Sequence, residues 1–287
     1  MTAATAPPTR LRNVSDTALW VAAYRAEESE RPDAHFRDPF ARRLAGDRGF
    51  ELLSAMPKGR ALSWPMVVRT VLFDDIVRRA LAEGVDLVIN LAAGLDARPY
   101  RMDLPADLHW VEVDLPEIIE YKSSILDGES PVCRLERVTC DLADVLDRRA
   151  LFRRLGENSS KVLVLTEGLL IYLERAQVEG LAGDLAAVPS FRHWATDLGS
   201  PGLLKRMRTT WGNAVAQAGA PFLFGPEEGP EFFRPFGWRP RTVENSFYSA
   251  ARLKRLPFVL RLFALFPEPK RWNPKFVWSG VCHLDRE

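Results

Sequence analysis

Between residues 86 and 198 the chain alternates short apolar runs with helix-length segments, and no other feature limits the fold as tightly. The apolar runs are 86–91 (DLVINL), 109–113 (HWVEV), 135–140, 161–166 (KVLVLT) and 191–198. All are of strand length, and the purest of them carry no alternation of polarity, which suits strands covered on both faces. Helices are expected between them at 116–126, 145–155 and 176–188. Strand and helix in this order predict a parallel, doubly wound α/β sheet.

The flanks add to this frame. Residues 1–12 read as a loose tail, and apolar spacing predicts helices at 16–30, 39–45 and 64–83, the last stopped by Gly84. Residues 201–230 are helical and then Gly/Pro-rich, as in an inserted cap, and a short helix follows at 231–237. Strands at 240–244 and 276–284 (FVWSGVCHL), coming after five strand–helix units, predict an antiparallel edge strand. An apolar helix at 258–266 lies between them, within an amphipathic stretch carrying Arg252, Lys254, Arg255 and Arg261; its apolar face is expected to pack on the cap.

Composition narrows the function classes. Of 287 residues, 39 are Lys or Arg and 38 are Asp or Glu, a net charge of +1. A nucleic-acid specialist needs a basic excess or stripe, and this chain has none. Apolar residues make up 47%, enough to exclude disorder. Cys133, Cys140 and Cys282 are too few and scattered for a disulfide framework or a zinc site, so no metal is expected and a reducing cytoplasm fits. No signal peptide and no membrane-length apolar run is present, so a soluble cytoplasmic enzyme is expected. Eight tryptophans are a small excess.

In an open α/β sheet, ligands sit at the carboxyl ends of the strands. After the first strand come Ala92, Ala93 and Gly94, a small-residue turn that lets backbone approach a ligand. After the second comes Asp114, twenty residues beyond Gly94, where an acid accepts from ribose hydroxyls. Asp114 could instead cap the next helix, and Glu112 on the same face competes with it. Asp141 and Leu142 follow the third strand, suited to an adenine amino group and ring, and Asp141 could likewise be a cap. Glu167 follows the fourth, where a cationic end of a ligand would lie; a salt bridge to an arginine is the alternative. One glycine is poor for a pyrophosphate but adequate for the amino-acid tail of S-adenosylmethionine.

The stretches NLAAGLDARPYR (90–101), VEVDLPEIIEYK (111–122) and LTEGLLIYL (165–173) closely resemble the leucine carboxyl methyltransferase family, most of all its bacterial branch that includes polyketide O-methyltransferases. The N-terminal SDTALWVAAYRAEESERPDAHFRDPFA, VRTVLFDDIV (68–77) and FFRPFGW (232–238) also match, leaving roughly 201–230 outside the likeness. The resemblance implies a class I methyltransferase fold: a mostly parallel seven-stranded sheet with one antiparallel edge strand. It implies a helical extension over 1–84 packed on a methyltransferase domain over 85–287, with insertions at about 201–230 and 250–270. It implies S-adenosyl-L-methionine as cofactor, with Arg69 and Gly94 at the methionine end, Asp114 at the ribose, Asp141 and Leu142 at the adenine, and Glu167 near the amino group or the substrate. Tyr172 resembles the tyrosine that the family places by the methyl group. Many members have glycine where this chain has Ala92, and the family's cofactor-contacting lysine in the N-terminal segment has no clear counterpart, Arg25 being the nearest basic residue.

Methyl transfer from a sulfonium is an in-line displacement that rests on alignment and exclusion of water. A carboxylate acceptor needs no base, whereas an alcohol or phenol does. His35 lies in the entry segment, His109 opens a strand, and His193 and His283 lie within strands, so no histidine follows a strand, which favours a small-molecule carboxylate acceptor clamped by Arg69. Tyr24 and Tyr248 are further pocket candidates, and Arg98 and Arg101 are expected to pair with Asp96 or Glu112. Trp211, Phe222, Phe224, Phe232, Phe233, Phe236 and Trp238 either cover an apolar substrate or attach the cap. The rivals are a hydroxyl-directed methyltransferase, a non-catalytic cofactor-binding protein and, more remotely, an NAD-dependent oxidoreductase. The oligomeric state is open.

Overall fold

The structure is a computed structural model that describes residues 14–55, 63–217, 221–269 and 272–287; the expected tail at 1–12 lies outside them. Seven strands form one sheet: β1 Leu87–Leu91, β2 His109–Asp114, β3 Arg134–Thr139, β4 Val162–Thr166, β5 Phe191–Gly199, β6 Trp238–Asn245 and β7 Ser279–Arg286. Their spatial order is β3-β2-β1-β4-β5-β7-β6. The first five pair in parallel, and β7 runs antiparallel to both β5 and β6. The reversed strand therefore lies one place in from the edge, and β6 closes the sheet. β6 starts two residues before the expected span, and its Pro240 is tolerated because the strand is at the edge and shifts register there.

Side-chain alternation along the strands divides the core into two layers. Leu87, Ile89 and Leu91 of β1 face Leu151, Phe152 and Leu155 of α6 (Val145–Glu157) and Val178, Leu181 and Leu185 of α7 (Arg175–Ala186). Val88, Trp110 and Leu163 face the other way, onto Val68, Phe73 and Val77 of the helix at Trp64–Ala82. With both faces covered, β1 and β4 are buried at every residue, which accounts for their unbroken apolar sequence.

The N-terminal helices are α1 (Val14–Ser29), α2 (Ala41–Ala55) and α3 (Trp64–Ala82). Ala22, Tyr24, Leu44 and Leu53 from the first two pack with Leu95 and Ala97, so these helices cover the turn after β1. α2 extends ten residues beyond the predicted 39–45, through a break at Gly46 where φ is 54°. The remaining helices are α4 (Arg98–Arg101), α5 (Pro116–Ile125), α8 (Pro201–Gln217), α9 (Ser246–Arg252) and α10 (Phe258–Phe263). Among the described residues, α10 packs on the α3 layer and not on the cap as expected. Leu260 and Ala264 rest on the α3 layer, while Phe258, Val259, Leu262, Leu265 and Phe266 are exposed. No helix among the described residues is long and apolar enough to cross a membrane.

Two buried histidines, His193 on β5 and His283 on β7, lie with ring centroids 5.2 Å apart. Burial, reinforced by the neighbouring His193, pushes the His283 imidazole down to about 4.

Candidate active site

β1 ends in a turn in which Ala92 and Gly94 both take left-handed backbone, φ 52° and 51°. Such a conformation costs an L residue about 1–2 kcal/mol, least for a small side chain, which fits the small residues found here. The Gly94 N–H donates to Asp114 Oδ2 at 2.6 Å, and the Leu115 N–H donates to Oδ1 at 2.8 Å. The carboxylate at the end of β2 thus reaches across to the turn after β1. Burial raises the Asp114 carboxyl above its ordinary value, against the pull of those two amides. Glu112 takes no part: it is fully buried, with Lys122 Nζ at 2.7 Å and Arg137 Nε at 3.0 Å.

Past β4, Glu167 is held between two guanidiniums. Arg69 Nε lies 3.0 Å from Oε1, and Arg98 Nη1 lies 2.9 Å from Oε2. Asp197, at the carboxyl end of β5, accepts the Gly168 N–H at 2.6 Å and faces Arg69 Nη1 at 3.3 Å. Burial works against the Arg69 charge, but Asp197 and Glu167 outweigh it and hold the guanidinium above its ordinary value. Arg98 also pairs with Asp74 at 2.6 Å and Asp96 at 2.8 Å, and Arg101 pairs with Asp74 at 2.7 Å. The expected pairing of Arg98 with Asp96 is present; Arg101 goes to Asp74 instead. Three guanidiniums against four carboxylates leave this network one negative charge in excess.

Arg69, Asp96, Arg98, Asp114, Glu167 and Asp197 line a cavity of about 1240 Å³. That exceeds the usual range for one small ligand, roughly 300–1,000 Å³. Arg69, Ala92, Gly94, Asp114, Glu167 and Tyr172 all reach it, together with Arg25, Tyr24 and Tyr248. Asp141 and Leu142 do not. The Asp141 carboxylate accepts the Ala143 N–H at 2.9 Å in a local turn, Asp144 rather than Asp141 caps α6, and Leu142 packs against the core. Tyr172 sits in a 3-10 turn, Leu170–Tyr172, and stacks on Phe222 with centroids 5.9 Å apart. Burial raises its hydroxyl, with Arg69 opposing.

The lining also carries aromatic side chains, among them Trp20, Trp64, Phe222, Phe224, Trp272 and Trp278. Trp278, within the expected strand 276–284, precedes β7 and meets Trp272 edge-on at 5.0 Å. Phe232, Phe233 and Trp238 belong to the sheet core instead; the Trp238 Nε1–H donates to the Ala182 carbonyl at 3.0 Å. The Trp211 side chain lies outside the described residues. Asp197 and Asp74 were missed by the sequence reading. The strand-end rule reaches Asp197 once it is applied to the fifth strand as well as the first four.

A doubly wound sheet with an acid-bridged turn after β1 defines a class I methyltransferase architecture, and the solved structures agree. A Thermobifida fusca protein described as a methyltransferase superposes with a TM-score of 0.60 at 15% identity, over 97% of this chain and 96% of that one. A DUF574 family protein from Streptomyces avermitilis does so with a TM-score of 0.57 at 12% identity, over 93% and 97%. Residues 18–186 match the model of the leucine carboxyl methyltransferase family, and the chain belongs to that family. A Frankia alni protein described as an S-adenosyl-L-methionine-dependent methyltransferase is 34% identical over 241 residues, 79% of this chain and 82% of its own length. A Streptomyces coelicolor protein of the same description is 35% identical over 234 residues, 77% and 80%.

Proposed function

We propose that this protein is an S-adenosyl-L-methionine-dependent O-methyltransferase whose acceptor is a carboxylate on an apolar small molecule. Family membership and the description of its relatives support the methyltransferase class and the cofactor. The turn at Ala92 and Gly94 takes the methionine end, and Asp114, its two oxygens already engaged by backbone amides, turns its remaining lone pairs to the ribose hydroxyls. A cofactor with a sulfonium, an ammonium and one carboxylate carries a net positive charge. It complements a network with one excess negative charge.

The observation that carries the choice of acceptor is the absence of a histidine among the described lining residues. Glu167 and Asp197 are engaged by Arg69, so neither is a free base. A carboxylate acceptor is already ionised at neutral pH. Arg69 Nη2 makes no hydrogen bond among the described residues and is the donor that orients it, with Tyr172 beside it. The aromatic lining takes the apolar remainder of the substrate and excludes water.

Calorimetry with S-adenosylmethionine, S-adenosylhomocysteine and NAD tests the cofactor. Binding of NAD but of neither sulfur compound overturns the reading. Asp114→Ala weakens S-adenosylmethionine binding about 10- to 100-fold, the worth of hydrogen bonds to a charged group. For the acceptor, products from a panel of acids and phenols are treated with mild base. Methyl esters are cleaved and methyl ethers are not, so base-stable products alone favour the hydroxyl-directed rival.

A further inference from the structure

We propose that His193, His283 and Asp285 form a binding site for a divalent first-row transition ion, zinc first among them, away from the cavity. The register of β5 with β7 sets His193 opposite Asp285 and Ala195 opposite His283. Residues two apart on a strand share a face, so all three side chains emerge on one face of the sheet. His193 lies four residues before Asp197, some 13 Å along β5 from the cavity wall.

The donor atoms of the three residues lie within 4.8 Å of one another. His193 Nδ1 is 2.9 Å and His283 Nε2 3.8 Å from the same oxygen, Asp285 Oδ1. The 2.9 and 3.8 Å separations suit donors that each stand about 2.0–2.2 Å from one ion. Both imidazoles are more than nine-tenths buried, yet the Nε2 atom of each has no hydrogen-bond partner. Such atoms are costly to leave unpaired.

One ion answers the first orphan and fixes the proton on the second. Coordination by His283 Nε2 satisfies the first directly. Coordination by His193 Nδ1 leaves that ring's proton on Nε2, which faces Glu83 Oε2 at 3.9 Å. A carboxylate behind a metal-bound histidine is the usual orienting partner. Two imidazoles and one carboxylate leave a fourth position for water, and this donor set suits zinc and its neighbours rather than magnesium or calcium.

The surrounding charge permits a cation. Arg241 pairs with Glu83 at 2.6 Å and stands 3.8 Å from Asp285 Oδ1, and Arg79 acts on His283 from α3. Two carboxylates face the one guanidinium in contact with them, with Lys161 acting on Glu83 as well. Glu83 and Asp285 are partly exposed, at 33% and 26% of their side chains, and open a path from solvent. The ion would fasten β7 to β5 beside the carboxyl end of α3, a structural rather than catalytic place.

The test uses tag-free full-length protein stripped with a chelator. Zinc calorimetry and the visible absorption of cobalt(II), which zinc should displace, are read on the wild type. One equivalent per chain is expected, with a higher thermal midpoint when zinc is added. His283→Gln and Asp285→Asn abolish the binding and the thermal shift, while Cys133→Ser keeps both. No uptake by the wild type overturns the proposal, and so does equal uptake by the His283 and Asp285 variants. The wild-type measurements stand even if a variant fails to fold.

Discussion

A methyl group at position 168 would meet Arg69 Nη1 at 3.0 Å, on a backbone with φ +68°. Gly168→Ala should therefore lower stability by about 1–2 kcal/mol and push the guanidinium from its place between Glu167 and Asp197. Turnover is expected to fall more than S-adenosylmethionine affinity; an unchanged kcat would remove Arg69 from the reaction. Arg98 has a different character. It is 2% exposed and holds three carboxylates, so Arg98→Met leaves buried charge uncompensated and costs about 3–5 kcal/mol in urea unfolding. Arg69→Lys, by contrast, keeps the charge, loses the fork and should impair turnover more than stability. At this scale much was legible in the sequence. Reading strand ends brings Gly94, Asp114 and Glu167 to one cavity because an open sheet gathers its strand termini in one place. It over-reaches at Asp141, where the third strand is an edge strand and its terminus lies beyond the cavity. It does not reach Asp74, which sits on a helix beside Asp75 and looks like one of a pair of surface acids until α3 is seen buried against α4.

The segment after α8 concentrates aromatic residues, and its elements divide them. Phe222 and Phe224 face the cavity, whereas the 3-10 turn Gly229–Phe236 drives Phe232 and Phe233 into the core against Trp194. Sequence spacing cannot separate the two groups, because a short 3-10 turn followed by an edge strand has no sustained period. Phe233→Ala should cost about 3–5 kcal/mol in unfolding free energy, whereas Phe266→Ser, at an exposed position beyond α10, should change it by less than about 0.5 kcal/mol. Equal costs would mean that α10 is covered in solution. The missed second half of α2 has a similar cause. Gly46 and Asp47 read as a stop, and the helix resumes only because Leu52 and Leu53 find a buried place.

Across the whole molecule, the ion network joins α3, the turns after β1 and β4, and β5, so it links the site to stability. Burial alone would raise the Asp74 carboxyl, but the Arg101 and Arg98 guanidiniums outweigh it and hold it below its ordinary value. A carboxyl depressed in the folded state contributes stability that is complete above its unfolded value of about 3.9 and is lost as the pH falls below it. Unfolding free energy should therefore drop on acidification below about pH 4, and Asp74→Asn should flatten that limb while lowering the plateau. An acid limb unchanged in Asp74→Asn would assign it to other groups. The sheet order carries a separate consequence for how the chain is made. β7 fills the gap between β5 and β6, and both of its neighbours are synthesised before it. Until residues 279–286 have left the ribosome, β5 keeps an open edge and β6 has no partner at all. The nascent chain thus leaves the facing borders of β5 and β6 unpaired until β7 emerges, an interval in which open strand edges invite aggregation.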